Sequence, residues 1–169
     1  MMRFSGILSA LLAVVLISSC INDDPVKESY ILAGDRIPDF TVEMNDGRVV
    51  TSGQLSSGVS LIMFFHTSCP DCQVTLPEVQ RIYDEFLPKN VQFALISREE
   101  DNTSVSLYWK ANNINMPYSA QPTRSIYNLF ASSRIPRVYI CVDGVVKAFF
   151  TDNPNPKYED MSSVLNELI

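Results

Sequence analysis

Two cysteines stand three positions apart in Cys69-Pro70-Asp71-Cys72, directly after the apolar run Val59 to Phe65. Thiols at that spacing, at the mouth of a helix, can bond to each other and open again, so they can exchange a disulfide with another molecule. Pro70 lacks an N–H and has a fixed φ, which suits the first helical position. Cys69 then becomes the N-cap. Its sulfur lies beside unpaired N–H groups and the positive end of the helix dipole, and both favour thiolate, the attacking species. Cys72 falls one turn in, on the same side, and is expected to be the more buried. The roles follow: Cys69 attacks and Cys72 resolves. Asp71 works slightly against a thiolate, but an acid also suits a first helical turn. His66, three residues ahead of Cys69, could stabilise the thiolate as a cation. Its blander reading is a strand-end residue near the surface.

The other donors are few. A closed structural zinc site needs four ligands, and the chain has a single histidine and no second close cysteine pair. No metal site is expected, although two thiolates are soft enough to hold copper(I). Cys141, between Ile140 and Val142, reads as a small buried hydrophobe.

These residues need elements to hold them. Phe40 to Met44 and Arg48 to Thr51 flank the turn signal Asn45-Asp46-Gly47 and predict a hairpin. Val59 to Phe65 is apolar at nearly every position, as a central strand covered on both faces should be. Pro70 to Phe86 predicts a helix with Leu76, Val79, Ile82, Tyr83 and Phe86 on its buried stripe. Val91 to Ser97 is a second buried strand, and strand, helix, strand is the parallel crossover unit. Thr103 to Asn112 and Ser125 to Phe130 read as helices. Val138 to Val142 and Val145 to Phe150 are strands joined by Asp143-Gly144, a strong hairpin signal. Tyr158, Met161, Val164, Leu165 and Leu168 lie at helical spacing and close the chain. The sum is an α/β domain with a central mixed sheet, helices on both faces and a β-hairpin at its start.

The first residues read differently. Arg3 followed by the apolar stretch Ile7 to Ile17 is too short to span a bilayer and suits a signal peptide. Ile17-Ser18-Ser19-Cys20 resembles a bacterial lipobox, which implies cleavage before Cys20 and lipid on its thiol. An uncleaved anchor or an ordinary signal peptide is the alternative. The expected organisation is a leader at 1–19, a lipid-anchored tether at 20–33 and one domain at 34–169. Net charge is −6, and loss of Arg3 makes it more negative. Nucleic acid is not an expected partner, because phosphate binding needs clustered Lys and Arg.

Gly34 to Phe40, the Asp46-Gly47 turn, Leu61 to Cys72, Pro77, Ile135-Pro136 and the Asp143-Gly144 hairpin occur in an order that resembles the thioredoxin superfamily. Within it, the chain is similar to the exported TlpA/ResA-like thiol–disulfide oxidoreductases, across nearly all of residues 34–169. The resemblance implies a thioredoxin-like fold and a redox-active Cys69–Cys72 disulfide with no other cofactor. It also implies a cis Ile135–Pro136 bond lying against the cysteines, with Ile135 free to pair with an extended substrate segment. An ordinary trans proline opening a strand is the alternative.

Three positions depart from that family. Ser68 replaces the aromatic that usually precedes the first cysteine. Met63 stands where thioredoxins bury an acid, so a proton relay for Cys72 needs another group or water. Arg137 puts a charge after Pro136 that could favour acidic partners or raise thiolate content. Peroxiredoxins share the fold, but their required Thr or Ser and Pro fall here on His66 and Ile62. The implied activity is disulfide exchange with exported thiol proteins, in the reducing direction, fed by a membrane or soluble thiol donor. Oxidase or isomerase action, peroxidase action, and non-catalytic capture of a metal or partner are the alternatives. The implied location is the bacterial cell envelope, on the periplasmic face or at the outer membrane.

The lipid assignment predicts that Cys20→Ala moves the protein from the membrane to the soluble fraction. A variant that stays membrane-bound without incorporating labelled lipid would contradict it.

Overall fold

A computed structural model describes residues 28–169. The leader 1–19, Cys20 and the tether up to residue 27 lie outside the described residues. No helix among the described residues is long and apolar enough to cross a membrane.

The expected hairpin forms from β1 (Thr41–Glu43) and β2 (Val49–Thr51), which pair antiparallel. A short helix the periodicity does not announce, α1 (Ser52–Leu55), follows directly. Its start is a capping box: Gln54 N–H donates to the Thr51 hydroxyl and Thr51 N–H to the Gln54 side chain. Then come β3 (Val59–Phe65), α2 (Pro70–Phe86), β4 (Gln92–Ser97), α3 (Asn102–Ala111), β5 (Tyr118–Ser119), β6 (Arg137–Val142), β7 (Val145–Phe150) and α4 (Tyr158–Leu168). The expected helix at 125–130 is only a 3-10 turn at Tyr127–Leu129. Six residues bounded by Pro122 and the 131–136 loop leave little room for a second α-turn.

The central sheet has the order β5-β4-β3-β6-β7. β3 runs parallel to β4 and antiparallel to β6, so the sheet is mixed as expected. β3 is central, and Leu61 to Phe65 are all fully buried. Successive side chains on a strand point to opposite faces. Phe64 therefore packs on one face against Tyr127 (5.5 Å), Phe130 (4.8 Å) and Tyr139 (6.4 Å between ring centres). Phe65 packs on the other against Trp109 of α3 at 4.9 Å. α2 and α4 lie side by side, with Arg81 stacked on the Tyr158 ring at 4.1 Å.

The β6–β7 turn places both Asp143 (φ 50) and Gly144 (φ 75) in the left-handed region, the backbone of a two-residue primed hairpin. A Cβ on Gly144 would also meet the Ser56 hydroxyl at 2.3 Å, so this position excludes a side chain twice over. Residues 28–33 of the expected tether are already laced to the domain. Tyr30 N–H donates to Phe130 O at 2.9 Å and Ser132 N–H to Glu28 O at 3.0 Å.

The Phe64 cluster predicts a large cost for truncation. Phe64→Ala should lose about 3–5 kcal/mol in urea denaturation, because removing a fully buried ring leaves a void that its packed neighbours only partly close. A loss under about 1 kcal/mol would contradict the packing described.

Candidate functional site

The chain leaves β3 at His66 and turns tightly, with Cys69 N–H donating to His66 O at 3.1 Å. Pro70 opens α2 and Cys69 is its N-cap, in extended conformation (φ −81, ψ 118), with no side chain capping the helix. Cys69 thus stands at the N-terminal end of α2, where the first-turn N–H groups donate no hydrogen bond to its side chain. Cys69 is half-buried and Cys72 fully buried, and both are free cysteines. Burial pushes the Cys72 thiol far above its ordinary value; the backbone N–H of His66 works against this, and nearby Cys69 adds to it. Cys72 is therefore a protonated thiol at neutral pH, and Cys69 is the outward sulfur.

The Ile135–Pro136 bond is cis. Ile135 O accepts from Cys69 Sγ at 3.6 Å, so the segment before β6 lies against the pair. A second cis bond, Asn153–Pro154, occurs in the loop before α4. From that loop Asn155 donates to Asp71 Oδ1 at 2.8 Å, which ties Asp71 to the loop in the first turn of α2. Ser68 is exposed, and both its N–H (3.2 Å) and its hydroxyl (3.0 Å) reach His66 Nδ1. His66 is partly exposed, with Nδ1 3.8 Å from Glu100 Oε1.

Arg137 corrects an expectation. Its side chain is 1% exposed and offers no charge to a partner. The guanidinium donates to Ser133 O (2.8 Å), Arg134 O (3.2 Å), Glu28 O (3.2 Å) and the Ser29 hydroxyl (2.9 Å). Because β6 begins at this residue and is covered on its inner side, the long side chain is drawn under the 133–135 loop instead of out of it. Its work is to join residues 28–29 to the loop that carries Ile135.

Several neighbours of the pair come from distant sequence. Glu100, from the loop after β4, accepts from Thr67 N–H at 3.0 Å and also from the Thr67 hydroxyl. Gln73 donates to Thr67 O at 2.8 Å. Arg98 lies 5.1 Å over the Tyr127 ring, and its positive charge weakly favours a Cys72 thiolate. Only the β3–β4 register, which sets Phe65 opposite Ser97, brings residues 98–100 here, and no local motif announces it. Cys141 is fully buried beside the β6–β7 pairing, away from this edge. Among the described residues no group of three or more His, Cys, Asp and Glu is placed to hold a metal ion. A cleft of about 740 Å³ lined by Tyr83, Leu87, Phe93 and Pro117 contains neither cysteine.

A family profile described as AhpC/TSA family matches residues 33–149. The thiol-disulfide oxidoreductase ResA of Bacillus subtilis is 23% identical over 114 residues, 68% of this chain and 63% of that protein. The chain thus spans under two thirds of that relative's length. The ResA of Oceanobacillus iheyensis is 24% identical over 140 residues, 80% of this chain and 72% of that protein. A thiol:disulfide interchange protein of the thioredoxin family from Chlorobium tepidum superposes with a TM-score of 0.68 at 20% identity, covering 80% of this chain and 96% of that one. The fold is thioredoxin-like.

The buried thiols make stability pH-dependent. Burial pushes Cys141 from 9.0 up to about 12, and Cys72 moves the same way. A raised value favours the folded state fully below the ordinary thiol value. That advantage is lost as pH rises toward the folded value, because only the unfolded thiol ionises there. Unfolding free energy of the reduced protein should fall above about pH 9, by up to about 1.4 kcal/mol per pH unit for each such thiol. Cys141→Ala should make the decline shallower; an unchanged slope would contradict its burial as a thiol.

Proposed function

The chain belongs to the AhpC/TSA family, and on that premise we propose that it is a thiol–disulfide oxidoreductase of the cell envelope, held by lipid at Cys20, that reduces disulfides in exported proteins. One observation carries the reading. Cys69 is the half-exposed N-cap of an uncapped helix, 3.6 Å from the Ile135 carbonyl, with Cys72 buried one turn behind it.

The chemistry follows from the asymmetry. A partner's extended segment lies along Ile135 by strand addition. The Cys69 thiolate attacks one sulfur of the partner's disulfide. That S–S bond breaks, a Cys69–partner bond forms, and the other partner sulfur leaves as a thiolate and takes a proton from water. Cys72 then gives its proton to water and attacks Cys69 Sγ; the Cys69–Cys72 bond forms as the Cys69–partner bond breaks, and the second partner sulfur leaves as a thiolate that is protonated from water. The pair loses two electrons and the partner's disulfide gains them. A thiol donor on the membrane or in solution resets the pair. Cys72, kept protonated by burial, does not compete as a nucleophile until the mixed disulfide sits beside it.

The reducing direction is supported by the resemblance. The peroxidase reading is less well supported, since His66 and Ile62 stand where that chemistry uses a hydroxyl residue and a proline.

Insulin reduction with dithiothreitol tests the proposal. Wild type should accelerate it and Cys69→Ala should fall to the uncatalysed rate. Cys72→Ser should accumulate a mixed disulfide, seen as a dithiothreitol-sensitive mass increase. Equal rates for wild type and Cys69→Ala would sink the catalytic reading.

A further inference from the structure

Among the described residues Glu100 is the one buried carboxylate, 6% exposed, and it lies beside the turn that carries Cys69. Its own backbone is pinned: Glu100 N–H donates to Gln121 O at 2.9 Å, and the Ser97 hydroxyl to Glu100 O at 3.4 Å. The preceding residue, Glu99, holds φ at 59, in the left-handed region. A non-glycine residue stays there only where the surroundings over-determine it, and such residues gather at functional sites.

What Glu100 holds is Thr67. One oxygen accepts the Thr67 N–H at 3.0 Å and the other accepts the Thr67 hydroxyl. The remaining polar group, Thr67 O, takes the Gln73 amide at 2.8 Å. Every polar group of this single residue, two positions before Cys69, is therefore fixed, from the β4–α3 loop on one side and from α2 on the other. Thr67 is itself only 8% exposed, so water has little access to replace a lost partner. A carboxylate suits the task because it presents two acceptors to two donors. The same carboxylate lies 3.8 Å from His66 Nδ1, which takes the Ser68 N–H, so the residues on either side of Thr67 are in contact with the network as well.

We infer that Glu100 is a positioning residue for the Cys69–Cys72 pair, acting through Thr67 on the turn that sets Cys69 over Cys72 and against Ile135. The inference rests on the thiol–disulfide reading of the pair. Closing the disulfide requires Cys69 to stand where Cys72 can reach it. A turn whose buried donors have lost their acceptor will shift to hydrate them, and the effective concentration of one thiol at the other falls.

The test is the equilibrium of the full-length protein with glutathione. In that exchange the dithiol becomes the disulfide as glutathione disulfide becomes two glutathiones. Glu100→Ala should weaken the Cys69–Cys72 disulfide about tenfold, the scale of losing hydrogen bonds to a charged acceptor. Glu100→Gln keeps an acceptor for the N–H and a donor for the hydroxyl oxygen, and should stay within about threefold of wild type. Thr67→Val removes only the hydroxyl, should shift the constant about threefold by itself, and should add nothing to Glu100→Ala, because the two share one contact. Unchanged constants with only a lower melting temperature would overturn the inference, and so would a Gln variant as impaired as the Ala variant. If Glu100→Ala does not fold, Thr67→Val decides: no shift overturns it. The glutathione constant stays measurable even if wild type fails to reduce insulin, so failure of the catalytic reading is a separate outcome.

Discussion

The pairing of β3 on both edges is the constraint from which the site follows. Its register sets Phe65 opposite Ser97 on one side and Phe64 opposite Arg137 on the other. The chain therefore leaves β3 at His66, leaves β4 at Arg98 and enters β6 from Pro136, all along one edge of the sheet. Three loops distant in sequence meet there. The register is itself enforced by packing. A slip of one residue would exchange the faces of Phe64 and Phe65, setting one against Trp109 and taking the other from the Tyr127, Phe130 and Tyr139 cluster.

On that edge the two thiols are made unequal mainly by depth. They occupy neighbouring turns of one helix, yet Cys69 borders solvent and the uncapped N–H groups, while Cys72 points into the core. Desolvation is the largest influence on Cys72, ahead of the His66 N–H and the Arg98 charge that oppose it. One sulfur is thereby suited to begin an exchange and the other to finish it. No further acid or base is needed to explain that division.

The charged residues around the pair act mainly as braces. Arg137 is buried with its donors on carbonyls and a hydroxyl, and among the described residues no carboxylate pairs with it. It joins the first described residues, Glu28 and Ser29, to the loop carrying Ile135, and Arg134 adds an ion pair to Glu28 at 2.9 Å. The described chain thus begins beside the loop that carries Ile135, on the edge that holds the cysteine pair. Glu100 does the matching work on the other side of Cys69. With Met63 buried in β3, the buried carboxylate beside Thr67 comes from the loop after β4.

Local chemistry was legible in the sequence. The Cys-Pro-Asp-Cys spacing, Pro70 at the first helical position, the apolar run of β3 and the Asp143-Gly144 turn each encode their geometry within a few residues, through backbone preference and periodicity. The mixed sheet was reached through the order of such pieces, and the cis Ile135–Pro136 bond only through the family resemblance. The 3-10 turn at Tyr127–Leu129 and the two-residue β5 escaped because segments so short carry no period. Arg137 looked like a surface charge because its burial depends on what covers β6, and Glu100, within Glu99-Glu100-Asp101, carries no local signal of its place. Their places are set by strand register and loop packing, which join residues some thirty to a hundred positions apart. The sequence by itself therefore determined which atoms can exchange a disulfide. The tertiary structure alone decided what holds them, since a buried partner is defined by desolvation and contact, and neither is written in a local pattern.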